Sequence, residues 1–396
     1  MALVLQGYTF LYQYVNSWMH STPKAKDTSK ALKMGVLSSA QINAAAAIHP
    51  AETHPDVILY AIASRDADTA ASQAKKYHFQ KSYGSYQALL DDPEVDFVYI
   101  STPNGLHYEW ASKALKAGKH VLLEKPFTSN GAEAEALVRE AEQANRVLEE
   151  AFHWQFHPAA HLFRSLLESG EYGKQIVRTD ARMTASPGVP DGDIRWQFDL
   201  AGGSLMDMTY ALSFTRYALR AGLPDKILSA VARPYDKDKR VDAAMTANLL
   251  FKDRNGELVH SRIYTDMARD WVAYVIPRVW ELPQIEVETE KCIIHFYNAM
   301  MPHLYHHIAI THKDTGRTEY KHQYSGGPVW ENVETTAGKG GATYWSTYRY
   351  QLEAFVRKLQ GKDPAYWVTN DESVKQMQTI DQIYQAAGLP VRPGKV

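Results

Sequence analysis

Cysteine is almost missing from this sequence: Cys292 is the only one in 396 residues. A lone thiol excludes an intramolecular disulfide and any multi-cysteine zinc site, and it fits a reducing, cytoplasmic compartment. A dominant charge is missing too, because 43 Lys and Arg stand against 45 Asp and Glu. That balance removes the electrostatic argument for a nucleic-acid partner. With 23 Gly and 18 Pro, collagen and long disordered tracts are excluded, so most of the chain is expected to fold. There is no long uninterrupted hydrophobic run. The nearest approach, MALVLQGYTFLYQYVNSWMH at the amino terminus, lacks a leading basic region and is broken by Gln6, Gln13, Asn16 and Ser17. It therefore reads as neither a signal peptide nor a membrane span. With the tether STPKAKDTSKA it makes an arm over residues 1–31, expected to lie on the protein's own surface or on a partner subunit.

What is present is an alternation. Apolar segments KMGVLS, VILYAIAS, VDFVYIST and KHVLLEKP are separated by alanine- and charge-rich stretches that suit amphipathic helices. Such spacing predicts successive strand-helix units around a buried parallel sheet, a dinucleotide-binding domain over 32–155. Gly118 is placed to end one crossover helix. The rhythm then changes. After a helix over 159–169, stretches such as QIVRTDARM, AAMTANLLF, ELVHSRIYT, IEVETE and KCIIHFY alternate apolar and polar residues. They predict a large, mostly antiparallel sheet with one buried face, in a substrate and oligomerisation domain over 156–396 that closes with helices over 348–359 and 372–386.

The chemistry-bearing residues fall at predicted strand ends. GVLSSAQIN sits at the first strand-to-helix turn, where Ser38, Ala40, Gln41 and Ile42 would approach a pyrophosphate; Ser38 and Ala40 stand where the ideal fingerprint has glycine. The second strand ends at Ser64 and Arg65, a hydroxyl and a guanidinium suited to a 2'-phosphate, which favours NADP. Asp66, one residue on, keeps NAD open, and Arg65 also fits a solvated helix start. Thr102, Asn104 and His107 follow the third strand and Glu124, Lys125 and Pro126 the fourth, all arriving at the carboxyl edge where cofactor and reaction belong. An ammonium at Lys125 can stabilise charge developing on a substrate oxygen.

Taken together, MGVLSSAQIN, the SRD segment, YISTPNGLHYEWASKALKAGKHVLLEKP, HPAAHLFRSLLESGEYG and AGGSLMDMTYALSFTRYAL resemble the Gfo/Idh/MocA oxidoreductase family, the glucose-fructose oxidoreductase group that includes sugar and trans-dihydrodiol dehydrogenases. The resemblance implies a Rossmann domain followed by an open mixed sheet often used to form dimers, with NAD or NADP held between the two. It assigns Lys125 to the EKP lysine that contacts substrate oxygen and the nicotinamide region, and Asp207 to the substrate-facing acid. The family often reads D-x-G-x-H or D-x-G-x-Y; here the run is Asp207-Met208-Thr209-Tyr210-Ala211, with Thr209 for glycine and the tyrosine one position early. Tyr210 stays a candidate for proton transfer because residues three apart share a helix face. Ser204 to Asp207 also has capping-box spacing, and Tyr210 also fits a half-buried structural aromatic.

Further substrate contacts are expected from Trp154 and His157 in FHWQFHP, where an aromatic face and an imidazole suit a polyol, and from Arg195 and Trp196. Packing at the domain junction is the other account of the first pair. His303, His306 and His307 carry no metal motif, and hydride transfer needs no metal. The expected activity is hydride transfer between NADP and a sugar or cyclic polyol by a homodimer; a cofactor-retaining isomerase or glycoside-processing enzyme and a noncatalytic NADP-binding regulator are the other readings.

Overall fold

The computed structural model describes residues 29–273 and 275–396; residues 1–28 of the amino-terminal arm lie outside the described residues. Six strands, β1 (Leu32–Leu37), β2 (Val57–Ala63), β3 (Lys81–Tyr83), β4 (Phe97–Ile100), β5 (His120–Leu123) and β6 (Leu148–Glu150), form a parallel sheet in the order β3-β2-β1-β4-β5-β6. This is the strand order of doubly wound dinucleotide folds. Helices cover both faces, so β4 is buried along its whole length and must be apolar throughout. We label the main helices α1 (Ala67–Tyr77), α2 (His107–Lys116) and α3 (Gly131–Ala144). Each boundary has a local cause: Asp66 accepts from the Thr69 amide at 2.7 Å to start α1, Asn130 accepts from the Glu133 amide at 3.0 Å to start α3, and Gly118, with φ of 76°, turns the chain after α2.

After α4 (Pro158–Glu168) comes the second sheet: β7 (Ile176–Thr184), β8 (Lys226–Pro234), β9 (Asp242–Lys252), β10 (Leu258–Asp266), β11 (Gln284–Thr289), β12 (Cys292–Tyr297), β13 (His307–His312) and β14 (Thr318–Lys321). Its order is β14-β13-β12-β11-β7-β10-β9-β8, antiparallel except where β7 meets β10. Alternation places Val259, Ile263, Ile285, Val287, Ile294 and Phe296 on the face that is buried. Two helices precede β8 in the chain, the single turn α5 (Ser204–Asp207) and α6 (Tyr210–Leu219), and α6 lies against β7, β10 and β11.

The opposite face is less apolar than the strand composition implies. At its centre Arg178 pairs with Glu286 at 3.2 Å and Glu288 at 2.5 Å, and Arg262 with Asp180 at 3.0 Å. The apolar side chains of β7, β10 and β11 point inward, and register hands their charged neighbours to solvent. Aromatic character gathers toward one edge, where Tyr297 stacks on His307 and Tyr320 stands beside it.

The chain then returns to the first sheet. In α7 (Thr347–Leu359), Tyr348, Leu352, Phe355 and Val356 join the cluster built on β1, β2 and β4, and α8 (Asn370–Ala386) lies along α3. A division at residue 155 separates the two sheets, but the core under the first sheet is completed by the end of the chain.

Glu149 and Glu150, at the end of β6, are 0% and 1% exposed, and their carboxylate oxygens have no hydrogen-bond partner. Burial pushes both up, Glu150 to about 8; the Ser373 hydroxyl and the Phe127 backbone oppose this only in part, without reaching hydrogen-bond geometry. An acid whose folded value lies above its unfolded one contributes full stability below the unfolded value and loses it as pH rises toward the folded value. Glu150→Gln removes that penalty. Thermal unfolding between pH 5 and 9 should therefore show a weaker loss of stability in the variant as pH rises toward 8, with a gain of up to about 5 kcal/mol at the upper end.

Candidate active site

The turn after β1 is built on a strained serine. Ser38 has φ of 119°, a conformation that costs a residue with a Cβ roughly 1–3 kcal/mol and that glycine adopts freely. Its side chain supplies the compensation. Ser38 Oγ lies 2.8 Å from Ser101 Oγ and accepts from the Ala40 amide at 3.1 Å, Ser101 Oγ donates to Asn43 Oδ1 at 2.5 Å, and Asn43 Nδ2 donates to the Ser38 carbonyl at 2.8 Å. The serine thus makes the tight turn through a hydrogen-bonded ring. Gln41 is exposed at the tip of the turn, and Ile42 leans on the core of the first sheet.

At the end of β2, Ser64 Oγ lies 3.5 Å from Ser39 Oγ and Arg65 is exposed. The Asp66 carboxylate caps α1 and is held below the usual carboxylate range by Thr69. After β4, Thr102 is 5% exposed and its Oγ1 has no partner. An orphaned hydroxyl at a carboxyl strand edge fits a cofactor that would complete its hydrogen bonds.

Three neighbours expected to touch the cofactor are also engaged within the protein. His107 is 1% exposed, with Nδ1 2.7 Å from the Pro126 carbonyl and Nε2 2.9 Å from that of Thr102, and burial pulls it down to about 4. It braces the turns after β4 and β5 against each other, leaving no nitrogen for a ligand. Asn104 Nδ2 donates to the Ala201 carbonyl at 3.4 Å, a contact with the second half of the chain. Glu124 accepts from the Tyr99 hydroxyl at 2.5 Å and is raised by burial.

The centre of the site is Lys125, which precedes a cis peptide to Pro126. Its Nζ donates to the Asp207 carbonyl at 2.8 Å, lies 3.5 Å from Asp207 Oδ1 and stands 5.2 Å from the centre of the Tyr210 ring. The same Oδ1 accepts from Arg195 Nε at 3.1 Å, and Arg195 Nη1 also engages Asp193. Burial pushes the Asp207 carboxyl up, but Lys125 and Arg195 outweigh it and hold the group below the usual range. Asp207 is therefore a carboxylate at neutral pH, a fixed counter-charge and a poor proton donor.

Asp207 is free for this because the capping box does not form. The residue before α5 is Gly203, and Ser204 Oγ donates to Asp242 Oδ2 at 2.7 Å. The helix breaks at Met208 and Thr209, yet Asp207 and the Tyr210 ring both still meet Lys125. Tyr210 Oη points to His153 Nε2 at 2.9 Å, and His153 Nδ1 lies 2.8 Å from Thr347 Oγ1. Burial raises Tyr210 well above its usual value and lowers His153 well below its own. Both are neutral, and a neutral imidazole can accept on one nitrogen and donate on the other. His153 and Thr347 were not singled out from the sequence; the only available signal was the proximity of His153 to Trp154 and His157 in one segment.

Trp154 and His157 belong to the junction's packing. Trp154 is 1% exposed, donates its indole N–H to Ser213 Oγ at 3.2 Å and meets Phe214 and Tyr217 edge-on. His157 is 0% exposed and accepts from the Ala159 amide at 3.2 Å. Trp196 is buried too, stacked on Tyr235 with its N–H on the Pro190 carbonyl, so of that pair only Arg195 faces the site. His303 approaches Thr347, His306 bonds the Pro302 carbonyl and His307 stacks on Tyr297, three divergent directions.

Residues 7–152 match the profile of an oxidoreductase family with an NAD-binding Rossmann fold. D-xylose 1-dehydrogenase (NADP(+)) 2 of Haloferax volcanii is 33% identical over 361 residues, 90% of this chain and 97% of that protein. The trans-1,2-dihydrobenzene-1,2-diol dehydrogenase of Sus scrofa is 35% identical over 211 residues, 52% of this chain and 61% of its own length. Among solved structures, the 3-ketoreductase KijD10 of Actinomadura kijaniata, in complex with NADP and TDP-benzene, superposes with a TM-score of 0.69 at 25% identity, covering 90% of this chain and 98% of that one.

The Ser38 ring makes a prediction. Ser38→Gly loses its hydrogen bonds but relieves the backbone, and should stay within about 1 kcal/mol of the parent, whereas Ser38→Ala loses the bonds and keeps the strain, a cost of about 1–2 kcal/mol. Denaturant titration of the two variants distinguishes these outcomes.

Proposed function

The chain belongs to the Gfo/Idh/MocA oxidoreductase family, and from that premise we propose that it transfers hydride between NADP and a hydroxyl or carbonyl carbon of a sugar or cyclic polyol, in the manner of aldose and dihydrodiol dehydrogenases. An NAD(P)-dependent oxidoreductase acting on CH–OH groups follows from the family and its named relatives. The observation that carries the catalytic reading is the Lys125 ammonium, held at the end of β5 by Asp207.

The bound nicotinamide supplies or takes the hydride. In the reducing direction Lys125 Nζ donates to the carbonyl oxygen and gives up a proton as the alkoxide forms; in oxidation the same amine takes that proton back. Asp207, ionised and shared with Arg195, keeps the lysine oriented, and Arg195 stands where it can also meet substrate hydroxyls. The Tyr210 ring supports Lys125, while its hydroxyl is committed to His153, so Tyr210 is a positioning residue in this scheme. The preference for NADP is supported by Ser64 and exposed Arg65 at the end of β2, where one oxygen of the neighbouring Asp66 carboxylate caps α1. A homodimer through the open face of the second sheet and a cytoplasmic setting complete the reading. Among the described residues no helix is long and apolar enough to cross a membrane.

Lys125→Met keeps side-chain length and removes the charge; loss of roughly 3 kcal/mol of transition-state stabilisation lowers the single-turnover hydride-transfer rate on the order of 100-fold. Tyr210→Phe, which keeps the ring, should cost less than about tenfold, and a parental rate in folded Lys125→Met would remove lysine from the chemistry. In calorimetric titrations NADP should bind at least about tenfold more tightly than NAD, with the difference shrinking in Arg65→Ala; equal affinities would reject the cofactor preference. Light scattering should report two chains, and a monomer at micromolar concentration would reject the dimer.

A further inference from the structure

A cavity of about 390 Å³ lies between α4, the second half of α6, the 366–369 segment and the first turns of α8. Neither Lys125 nor Asp207 borders it. Four cationic side chains line it, Arg164, Arg216, Arg220 and Lys375, against two carboxylates, Asp371 and Glu372. The pairing among these charges is uneven. Arg220 is bound to Glu168 at 2.6 Å and Lys375 to Asp371 at 2.7 Å. Glu372 is engaged in its own helix cap, accepting from the Thr369 amide at 2.8 Å.

Arg164 and Arg216 are left without a carboxylate. Arg164 lies flat on the Tyr217 ring at 3.3 Å, with Tyr366 on another side, and its buried Nε has no hydrogen-bond partner. Glu168, which acts on it through space, is occupied by Arg220 and Arg254. Arg216 is 7% exposed and is satisfied only by neutral acceptors, the carbonyls of Gly222 and Glu372 and Gln376 Oε1. Burial pulls it down to about 10 against the through-space attraction of Glu372, Glu150 and Asp371, none of them in salt-bridge contact with it, so it remains charged at neutral pH.

Two guanidinium groups largely removed from water, with no ion pair among the described residues and a cavity in front of them, are incomplete as an electrostatic arrangement. A planar fork of N–H donors matches a carboxylate or phosphate better than it matches water. The other walls, Phe152, Tyr217, Tyr366 and Trp367, suit the body of a small organic molecule, and the volume lies in the range of small-ligand pockets.

We propose that this cavity binds a compact organic oxyanion, a carboxylate or phosphate compound, at a site separate from the catalytic centre. The occupant would also touch the turn that carries His153. Gln155, which lines the cavity, donates to Ser213 Oγ at 3.2 Å and accepts from Tyr366 Oη at 2.6 Å, and Ser213 also holds the Trp154 indole. The inference is independent of the substrate assigned above.

Calorimetric titration of the full chain with inorganic phosphate and, separately, malonate, with chloride holding the ionic strength constant, tests it. The two probes separate phosphate from carboxylate preference. Saturable binding of at least one is expected, weakened roughly tenfold by Arg164→Gln and several-fold by Lys375→Glu, and unchanged in Lys125→Met or by saturating NADP. Arg164 packs on two tyrosines, so Lys375→Glu, on the exposed rim, decides if Arg164→Gln fails to fold by circular dichroism. Absence of saturable binding with both probes, displacement by NADP, or parental affinity in the folded variants would each overturn the proposal.

Discussion

The carboxylate of Asp242 is the point from which the site is suspended. It is 0% exposed and meets Arg392, equally buried, at 2.6 Å. Its second oxygen accepts from Ser204 Oγ and the Leu205 amide, and Tyr384 Oη donates to the first. Arg392 in turn donates to the Gly202 carbonyl at 2.6 Å, while its own carbonyl accepts from Asn130 at the start of α3. One ion pair thus joins β9, the turn before α5, α8, the last residues of the chain and the first domain. Breaking such a pair from one side leaves a bare buried charge and costs about 3–5 kcal/mol.

Why the turn before α5 must be Gly202-Gly203 follows from that suspension. A Cβ on Gly202 would run into the Arg195 carbonyl, and one on Gly203 into the Asp242 carboxylate. Backbone therefore approaches backbone closely here, and the Gly203 amide donates to the Arg195 carbonyl at 2.9 Å. The consequence is that Arg195 and Asp207, twelve residues apart in the chain, are brought to a common oxygen that also faces Lys125. A strand end of the first sheet and a helix turn of the second half then share one network of charge, which is how two distant stretches of chain come to form one candidate site.

Much of this was legible beforehand. The strand-helix alternation, the change to period-two alternation from β7 onward, the lysine at a strand end and the acid after the paired glycines are short-range patterns, and each reflects a local requirement: a buried parallel strand, a one-sided sheet, a tight helix start. The direction of Tyr210 was not. Its hydroxyl goes to His153, 57 positions away in the chain, and no periodicity announces that partner. Trp154, His157 and His107 have the chemistry of ligand-binding side chains, but burial commits each to a partner inside the protein. The open sheet face shows the same limit in reverse, since composition counted its aromatic residues without knowing that register would put ion pairs at its centre.

What the sequence by itself determined is the succession of elements and the residues offered at their ends, because hydrophobic period, capping side chains and turn residues act within a few positions of the chain. Tertiary structure alone decided which of those residues meet. Lys125 reaches Asp207 across 82 positions, Asn130 reaches Arg392 across 262, and Arg164 and Arg216 come to line one cavity with no carboxylate in salt-bridge contact among the described residues. Such pairings depend on how whole surfaces fit, on which polar groups lose water together and on what charge lies across the gap, and none of these is a property of a segment read alone.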